Sequence, residues 1–365
     1  MVDIFCGAGG FTEGFKKSGG FSHVFANDID PQAIKTFSFN HSDIPVSCID
    51  IALLNKNRVL ELTKGRQVDL IVGGPPCQGF SIAGQRIAED PKNKLFLEYI
   101  RIVKILKPKF IIFENVVGLT SMQNGNVLNA ILLNLQDLGF HTTYKILNTA
   151  DYGVPQSRPR VIIIARSDKG ILSLPNPTHF KVDQEQKSLN LNAYTKRYNN
   201  VKDAFTGLPE IMQGEGHEDI QIKIETENDY LKEIRGTRRR GKIYNHRATK
   251  HSAEIQKRYD HMRQGTDGSS LPVELRTKKT NFFRLSLNKP SRTVTCNFRT
   301  DLIHPIHPRG LTVREAARLQ SFDDDYCFFG NLTRKAKYVT QDDQVGNAVP
   351  PLFAKALADH LKEIW

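Results

Sequence analysis

The stretch VDLIVGGPPCQGFS, residues Val68–Ser81, predicts a buried strand that ends abruptly in a shaped loop. Val68–Val72 is a short apolar run of the kind that forms buried strands in parallel sheets. The strand cannot continue further, because the two prolines that follow lack an amide hydrogen and fix their own backbone angle. The glycines around them leave room for a bulky group to approach Cys77. Cys77 is therefore a candidate nucleophile, and the alternative is an inert, buried cysteine in a tight turn.

Outward from this stretch, similar apolar runs alternate with segments of helical period. The runs are Val2–Phe5, His23–Ala26, Val68–Val72, Phe110–Phe113 and Val161–Ala165. We predict that all five are buried parallel strands. Apolar side chains share one face of Lys94–Leu106, and Val127–Leu138 has the same pattern. This alternation predicts an α/β domain built on a parallel sheet.

Unusual polar sequences follow the carboxyl ends of four of these runs. They are CGAGG after the first, NDID after the second, GGPPCQG after the third and ENV after the fourth. Ligands bind at this edge of an open parallel sheet, so the four loops converge on one crevice. The convergence favours the functional interpretation of Cys77.

The 365 residues carry a net charge of +12, and nearly all of the excess lies in one basic segment, Arg235–Lys289. This segment contains fifteen Lys and Arg residues and four Asp and Glu residues. Such a cluster is typical of a surface that binds a polyanion. Its densest part, RGTRRRGK, supplies the candidate arginines Arg235, Arg238, Arg239 and Arg240. A solvated charge run without function is the alternative.

Composition argues against several other classes of protein. The sequence has no run of about eighteen apolar residues, so we expect no membrane span. We also expect no signal peptide, since no basic and apolar leader precedes Asp3, and we place the protein in the cytoplasm. The five cysteines are scattered, and the histidines of HPIHP at His304–Pro308 have no third ligand beside them. We therefore expect neither a disulfide framework nor a metal site.

The sequence changes character after Ala165 and predicts three segments. They are a catalytic and cofactor-binding domain at residues 1–174, a second domain with the basic surface at residues 175–290, and a return segment at residues 291–365. Thr312 and Glu315 have capping-box spacing at the start of a helix. Pro351–Ile364 has an apolar face and predicts a helix that packs back on the sheet.

The turn DIFCGAGGFTEGF, Asp3–Phe15, joins a strand to a helix and lets a ligand approach the backbone. It lacks the lysine of a phosphate-binding P-loop. Asp28 ends the next strand, where an acidic residue can hold ribose hydroxyls. These features predict an adenosine-containing cofactor and leave its identity open. A nicotinamide dehydrogenase also fits them, but it leaves PPCQG and the basic segment without a purpose.

Six motifs, in order along nearly the whole chain, resemble those of the DNA (cytosine-5)-methyltransferases. They are DIFCGAGGF, GGPPCQGFS, ENV (Glu114–Val116), QSRPR (Gln156–Arg160), REAARLQSF (Arg314–Phe322) and QVGNAVPP (Gln344–Pro351). The resemblance implies a Rossmann-like, S-adenosylmethionine-dependent methyltransferase sheet with a second, smaller DNA-recognition domain. It also implies S-adenosylhomocysteine as the cofactor product.

The same resemblance implies which residues bind S-adenosylmethionine. They are Phe5, Gly7, Gly9, Asp28, Ile29, Asp50, Pro75 and Asn347. Asp28 would hold the ribose and Asp50 the adenine amino group. Ile29 stands where the family often has a large aromatic side chain against adenine.

For the reaction, the resemblance implies that Cys77 adds as a thiolate to carbon 6 of cytosine and so activates carbon 5. Glu114 would hold a proton at ring nitrogen 3 and bind the amino group. Arg158 and Arg160 would favour the thiolate and hold the cytosine carbonyl. Without the resemblance, Glu114 is better explained as a surface carboxylate at a strand end, and the two arginines as phosphate contacts.

A cytosine inside a duplex is out of reach of a cysteine on a loop, so the base must be flipped out. Ser81, Gln85 and Arg86, in the loop after Cys77, are candidates to contact DNA or to fill the vacated space. The resemblance implies an enzyme that methylates a short double-stranded sequence and acts alongside a restriction endonuclease without a stable complex, and we predict that it is a monomer. The alternatives are RNA cytosine methylation, which the large second domain disfavours, and a catalytically silent DNA-binding relative, which the intact Cys77 and Glu114 disfavour.

Overall fold

Seven strands form one central sheet in the computed structural model, which describes residues 1–76, 82–83, 86–87, 94–181, 196–223, 227–332 and 337–365. The strands of the first half of the chain are β1 (Val2–Ile4), β2 (Phe25–Asp28), β3 (Val46–Cys48), β4 (Leu70–Gly73), β5 (Ile82–Ala83), β6 (Arg86–Ile87), β7 (Phe110–Val116), β8 (His141–Asn148) and β9 (Pro159–Arg166). The sheet has the order β3-β2-β1-β4-β7-β9-β8, while β5 and β6 pair only with each other among the described strands.

The first four predicted strands are confirmed as parallel, but the fifth runs in the opposite direction. β1 pairs in parallel with β2 and β4, and β4 pairs in parallel with β7. β9, which contains Val161–Ala165, is antiparallel to β7 and to β8. The parallel orientation predicted for Val161–Ala165 is therefore wrong. The cause is β8, an edge strand with only one buried side chain, which no apolar run marks in the sequence.

Helices cover the sheet, and shorter helices occur in the second half of the chain. They are α1 (Gly10–Ser18), α2 (Pro31–Asn40), α3 (Lys56–Thr63), α4 (Lys94–Leu106), α5 (Asn126–Asp137), α6 (Val201–Phe205), α7 (Asp229–Ile234), α8 (Ala253–Asp260), α9 (Phe298–Asp301), α10 (Val313–Leu319), α11 (Gln341–Asn347) and α12 (Pro351–Ile364). Neighbouring residues of β2 point to opposite faces, since Phe25 packs in a large apolar cluster with residues of α3, α4 and α5, and Ala26 packs in a second cluster with Phe37 of α2. The sheet is therefore buried on both faces, as expected for parallel strands.

The predicted C-terminal helix is confirmed as α12 with the predicted bounds. Its Phe353, Leu357 and Leu361 side chains are fully buried. The ring of Trp365 lies 5.1 Å from that of Phe110 in β7. α12 therefore packs on the sheet, as its apolar face predicts.

The chain divides into two compact units, and neither is continuous in sequence. The sheet unit consists of Met1–Asn148, Pro159–Asn176 and Phe353–Trp365, and the second unit consists of Thr149–Arg158 and Pro177–Leu352. The boundaries at residues 174 and 290 stay a prediction about function. The compact units have different boundaries from the three predicted segments, because residues 291–352 belong to the second unit.

The second unit is built from short elements. Its strands are β10 (His179–Phe180), β11 (Lys196–Arg197), β12 (Gly216–Gln221), β13 (Lys242–Arg247), β14 (Phe283–Arg284) and β15 (Leu302–Ile303). The capping box predicted for α10 is confirmed, because Thr312 Oγ1 accepts a hydrogen bond from Glu315 N at 3.1 Å and Glu315 Oε2 accepts one from Thr312 N at 2.8 Å. Across the described ranges, no helix has the length and apolar character needed to span a bilayer.

Candidate active site and cofactor-binding turn

The glycine-rich turn after β1 lies where the strand order of the sheet reverses. The chain runs outward from β1 to β2 and β3, and β4 then pairs on the other side of β1. Open α/β sheets bind ligands in the crevice at the carboxyl ends of two such strands. Here these ends carry the turn that begins at Phe5 and the segment Gly73–Pro75. The sheet therefore brings the predicted cofactor turn beside the segment that leads to Cys77.

The backbone of the turn is held in an open, left-handed path. Phe5, Gly7 and Gly9 have φ angles of 60°, 52° and 91°. This region favours glycine, so Phe5 carries backbone strain of the kind that concentrates at functional turns. A Cβ on Gly7 would meet no atom within 4 Å. Gly9 is the N-cap of α1 and provides no side-chain cap, which leaves the helix N-terminus able to bind a polar ligand.

Asp28 holds this turn from the end of β2. Its Oδ2 accepts a hydrogen bond from Gly7 N at 2.9 Å, and its Oδ1 accepts one from Asp30 N at 3.0 Å. Burial raises the pKa of the Asp28 carboxyl. Each carboxylate oxygen has a further lone pair, so these two bonds still leave acceptors for ribose hydroxyls.

Exposed aliphatic side chains lie just beyond Asp28 and Asp50. Ile29 is 64% exposed, and Leu53 is 70% exposed. Asp50 Oδ1 accepts a hydrogen bond from Ala52 N at 2.9 Å and so caps the 3₁₀ turn that contains Leu53. The faces of an adenine ring are apolar and can cover such side chains. The open turn, Asp28 and Ile29 thus fit an adenosine-containing cofactor.

Glu114 and Arg160 form an ion pair across two neighbouring strands. Glu114 of β7 lies opposite Ile162 of β9, which puts it diagonally across from Arg160. Glu114 Oε1 lies 2.9 Å from Arg160 Nε, and the two side chains are only 13% and 12% exposed. Burial lowers the pKa of Arg160, but a guanidinium stays protonated under such conditions. The sheet therefore presents a paired carboxylate and cation at its ligand-binding edge.

Gly74 packs directly beside this ion pair, and Pro75 is hydrogen-bonded to the residue that follows Glu114. A Cβ on Gly74 would lie 3.1 Å from Glu114 Oε2, so a larger residue would crowd the carboxylate. Asn115 Nδ2 donates a hydrogen bond to Pro75 O at 3.0 Å. The ENV and GGPP motifs are therefore joined, two residues before Cys77 in the sequence.

The loop that follows Pro76 contains four predicted site residues. Cys77, Ser81 and Gln85 lie outside the described residues. Arg86 is the first residue of β6, and only its backbone is described. The roles given to these four residues stay predictions.

Arg158 and Asn347 belong to the second unit. The Arg158 side chain is buried, and its guanidinium donates to three backbone carbonyl oxygens, of Val294 at 2.7 Å, Gly346 at 2.9 Å and Ala348 at 3.3 Å. Asn347, between the last two, is exposed. Arg158 thus binds the backbone that flanks Asn347, and its predicted contact with cytosine stays a prediction.

Three of the four candidate arginines of the basic segment contact an acidic cluster, Asp323–Asp325. The contacts join Arg235 to Asp324, Arg238 to Asp323 and Asp325, and Arg239 to Asp325. The Arg235 side chain is only 9% exposed. Arg240 is the exposed member of the four. Their predicted DNA contacts stay predictions, and Arg240 is the one whose side chain faces solvent most fully.

Sequence reasoning missed many buried polar side chains, among them Asp3, Gln156 and Gln320. Asp3 interrupts the apolar run Val2–Phe5, and this interruption was the available signal. The two glutamines stand inside quoted motifs, but nothing in the sequence indicates what they bind. In the part of the chain that the structure describes, no group of three or more His, Cys, Asp and Glu side chains is arranged to hold a metal ion.

Comparisons with known proteins agree with this geometry. The family model for C-5 cytosine-specific DNA methylases matches residues 1–363. Type II methyltransferase M1.HphI of Haemophilus parahaemolyticus is 35% identical over 98% of this chain and 85% of its own length. Type II methyltransferase M.DdeI of Desulfomicrobium norvegicum is 35% identical over 99% of this chain and 88% of its own length.

Solved structures share the fold over the full chain. A prophage-encoded E. coli protein described as a DNA modification methyltransferase has a TM-score of 0.78 and 27% identity, covering 100% of this chain and 98% of its own. S. pombe Dnmt2 methyltransferase has a TM-score of 0.62 over 99% and 98% of the two chains, and its 18% identity supports the fold alone.

The sheet and its crevice define a Rossmann-like methyltransferase. The chain belongs to the C-5 cytosine-specific DNA methylase family, as its six motifs predict, and its activity is that of a DNA (cytosine-5)-methyltransferase. The type II relatives place this activity in the context of restriction and modification.

Proposed function

We propose that the enzyme methylates carbon 5 of a flipped-out cytosine in one short duplex sequence, using S-adenosylmethionine and a covalent bond between Cys77 and carbon 6. The observation that carries the proposal is the Glu114–Arg160 ion pair packed against Gly74, next to Pro75 in the sequence. It provides a carboxylate and a cation beside the segment that leads to the nucleophile. These are the groups that a cytosine ring needs while its electrons rearrange.

The turn Phe5–Gly9 with Asp28 would hold the amino-acid and ribose parts of S-adenosylmethionine, and Ile29, Asp50 and the Pro75 backbone would hold its adenine. The open space at Gly7 and the remaining Asp28 lone pairs support this assignment. Asn347 is proposed as a further contact. When bound, the cofactor supplies an electrophilic methyl group and leaves as S-adenosylhomocysteine.

In the proposed reaction, the Cys77 thiolate forms a bond to carbon 6, and the electrons of the carbon 5–carbon 6 double bond move to carbon 5. Glu114 holds a proton at nitrogen 3 and accepts a hydrogen bond from the exocyclic amino group. Arg160, bonded to Glu114, fixes the carboxylate and offers its other N–H groups to the cytosine carbonyl oxygen. Carbon 5 accepts the methyl group and loses its proton to a base, and the electrons of that C–H bond restore the double bond and expel Cys77.

Duplex DNA is the proposed partner, with the second unit reading the sequence. The exposed Arg240 supports contact with a phosphate or a base edge. Ser81, Gln85 and Arg86 are proposed to contact the DNA around the flipped base. We further propose that the protein acts as a monomer and protects DNA from an endonuclease of the same specificity without a stable complex.

Methyl mapping tests the proposal. The purified protein is incubated with S-adenosylmethionine and unmethylated genomic DNA, and the DNA is then sequenced by a method that identifies 5-methylcytosine. We expect methylation at one short motif, none with Cys77→Ala, and a loss of about a hundredfold or more with Glu114→Gln.

Glu61→Gln is the matched control, because Glu61 is an exposed carboxylate that pairs with Arg58 on α3. It should leave the rate unchanged. A protein that binds S-adenosylmethionine and still leaves DNA unmethylated would favour the RNA substrate or the silent relative. Full activity in Cys77→Ala would contradict the proposed mechanism.

A further inference from the structure

Three buried side chains of the second unit, Gln156, Arg158 and Gln320, form what we call the amide clamp. Each is at most 2% exposed. Gln156 and Gln320 are 164 positions apart in the sequence, yet Gln156 Nε2 donates a hydrogen bond to Gln320 Oε1 at 2.8 Å. The reaction proposed above uses none of the three. Their burial without a chemical role calls for another explanation.

The clamp donates hydrogen bonds to the end of α11. Gln320 Nε2 donates to Val345 O at 2.6 Å. Arg158 Nη2 donates to Gly346 O at 2.9 Å and to Ala348 O at 3.3 Å. Two side chains from distant motifs therefore bind three carbonyl groups within four consecutive residues.

Gln156 fixes the orientation of the Gln320 side-chain amide. Its Oε1 accepts a hydrogen bond from Val294 N at 2.7 Å, so its Nε2 must face Gln320. Gln320 in turn uses its oxygen on Gln156 and its NH₂ group on Val345 O. Each amide can be satisfied in only one orientation, which makes the clamp rigid.

The end of α11 needs such donors from elsewhere. The last carbonyl groups of a helix lack intrahelical partners, and the residues that follow usually satisfy them with their own amides. Here Pro350 and Pro351 follow within a few residues and carry no amide hydrogen. The Arg158 cation also interacts favourably with the helix C-terminus. The clamp thus supplies hydrogen bonds that the two prolines cannot supply.

Close packing fixes the same backbone from another side. A Cβ on Gly346 would lie 2.3 Å from Cys296 N, so the two backbone segments touch directly and only glycine fits. In contrast, the next residue, Asn347, is exposed. The exposed side chain of Asn347 therefore belongs to a backbone segment that is fixed both by hydrogen bonds and by close packing.

We propose that the amide clamp positions Asn347 for S-adenosylmethionine. Gln156, Arg158 and Gln320 are positioning residues that act through the backbone of Gly346 and Ala348, so that this segment needs no ordering when the cofactor binds. The inference rests on the proposed contact of Asn347 with the cofactor. It gives Arg158 a role in cofactor affinity instead of contact with cytosine.

Cofactor binding to the full-length protein tests the clamp. Gln320→Leu removes the donor at similar size, and we expect it to raise the Kd for S-adenosylmethionine about tenfold or more in calorimetry. Arg158→Lys, which keeps the charge, should lose less affinity than Arg158→Met. The Kd for a duplex DNA fragment should stay unchanged in all three variants. If Gln320→Leu does not fold, Gln320→Asn, which is one methylene shorter, takes its place.

Arg284 provides the matched control. It is a buried arginine of the same unit whose guanidinium donates to backbone carbonyls of Tyr259, Met262, Pro305 and Ile306. Arg284→Lys should lower the melting temperature and leave the cofactor Kd unchanged. An equal loss of cofactor affinity in Arg284→Lys would show general destabilisation and overturn the proposal.

A double-mutant cycle provides the decisive comparison. In an Asn347→Ala background, Gln320→Leu should cause no further loss of cofactor affinity, because the clamp acts through Asn347. Fully additive losses, or wild-type cofactor affinity in Gln320→Leu alone, would overturn the clamp and leave the proposed function standing. A wild-type protein that does not bind S-adenosylmethionine would overturn both.

Discussion

Among single residues, Asp3 shows how burial in the sheet unit couples to pH. It lies on β1 with 2% of its surface exposed, and its Oδ2 accepts a hydrogen bond from Thr12 Oγ1 at 2.7 Å. Burial raises the pKa of the Asp3 carboxyl from 3.8 to about 7, although the Thr12 hydroxyl opposes the shift. The folded protein therefore retains a proton on Asp3 that the unfolded chain releases at lower pH.

We predict that Asp3→Asn becomes increasingly stable relative to wild type as the pH rises. Between pH 3.8 and about 7 the folded wild type binds more protons at this site than the unfolded chain, so its stability falls with rising pH. Asparagine does not titrate. The difference in free energy of unfolding should therefore grow by up to about 4 kcal/mol across this window.

Urea unfolding between pH 5 and 8 measures the part of this difference that develops above pH 5, about 3 kcal/mol. Asp229→Asn is the control, because that carboxylate is 86% exposed and should give a nearly constant difference. A constant difference for Asp3→Asn as well would show that Asp3 is ionised in the folded protein.

At the scale of elements, the sequence predicts best where local patterns decide the structure. The bounds of Lys94–Leu106 and Pro351–Ile364 are as predicted, because each helix has a continuous apolar face. β8 was missed, since an edge strand is held by its hydrogen bonds to β9 and needs no apolar run. Its presence reversed the direction of β9, which no local pattern in Val161–Ala165 encodes.

In the candidate site too, residues marked by local patterns were predicted and long-range contacts were not. Asp28 and Glu114 were predicted because each ends or follows an apolar run, and the sheet places both at the same edge. The hydrogen bonds of Arg158 could not be predicted, because their acceptors are backbone carbonyls as far as 190 positions away. Backbone acceptors look alike at every residue, so the sequence carries no signal for them.

The threonine of the α10 capping box also binds a buried histidine, His246. His246 Nε2 lies 2.9 Å from Pro209 O, which can only accept, so Nε2 carries the proton. Nδ1 is then an acceptor for the Thr312 hydroxyl, 3.0 Å away. Thr312 thus caps α10 and satisfies a buried histidine with the same oxygen.

We predict that Thr312→Ala lowers the free energy of unfolding by about 2–4 kcal/mol, which combines a lost cap with an unsatisfied buried nitrogen. Thr312→Ser keeps the hydroxyl and should retain most of the stability. Ser252→Ala, at the exposed N-cap of α8 with a 3.4 Å bond to Ile255 N, should cost less than Thr312→Ala. Denaturant unfolding of the three variants provides the comparison, and equal losses would argue against the second role of Thr312.

For the whole molecule, the net charge of +12 indicates a polyanion partner but not the residues that contact it. Counting charges locates the basic segment, yet Asp323–Asp325, some 85 to 90 positions further on, contacts three of its arginines. Composition cannot reveal such pairing, because the partners meet only in the folded chain.

We predict that Arg240→Ala weakens DNA binding and reduces the salt dependence of the binding constant by about one unit of log slope, as the loss of one phosphate contact does. Arg238→Ala should instead lower thermal stability, because it removes a cation from the buried carboxylates of Asp323 and Asp325. Fluorescence anisotropy over a range of salt concentrations measures the slope. The same slope change in both variants would mean that Arg238 also reaches the phosphates.

The interrupted sequence of the sheet unit has a consequence for synthesis in the cell. Phe353–Trp365 leaves the ribosome only after the whole of Pro177–Leu352, a delay of roughly 10–35 s at ~5–20 residues per second. Until then the apolar surface that α12 covers on the sheet, including Phe110, has no cover from this helix. A ribosome that stops within the second unit therefore releases a chain with exposed apolar surface, which chaperones and proteases recognise. Quality control thereby favours chains in which the second unit is complete before the sheet closes.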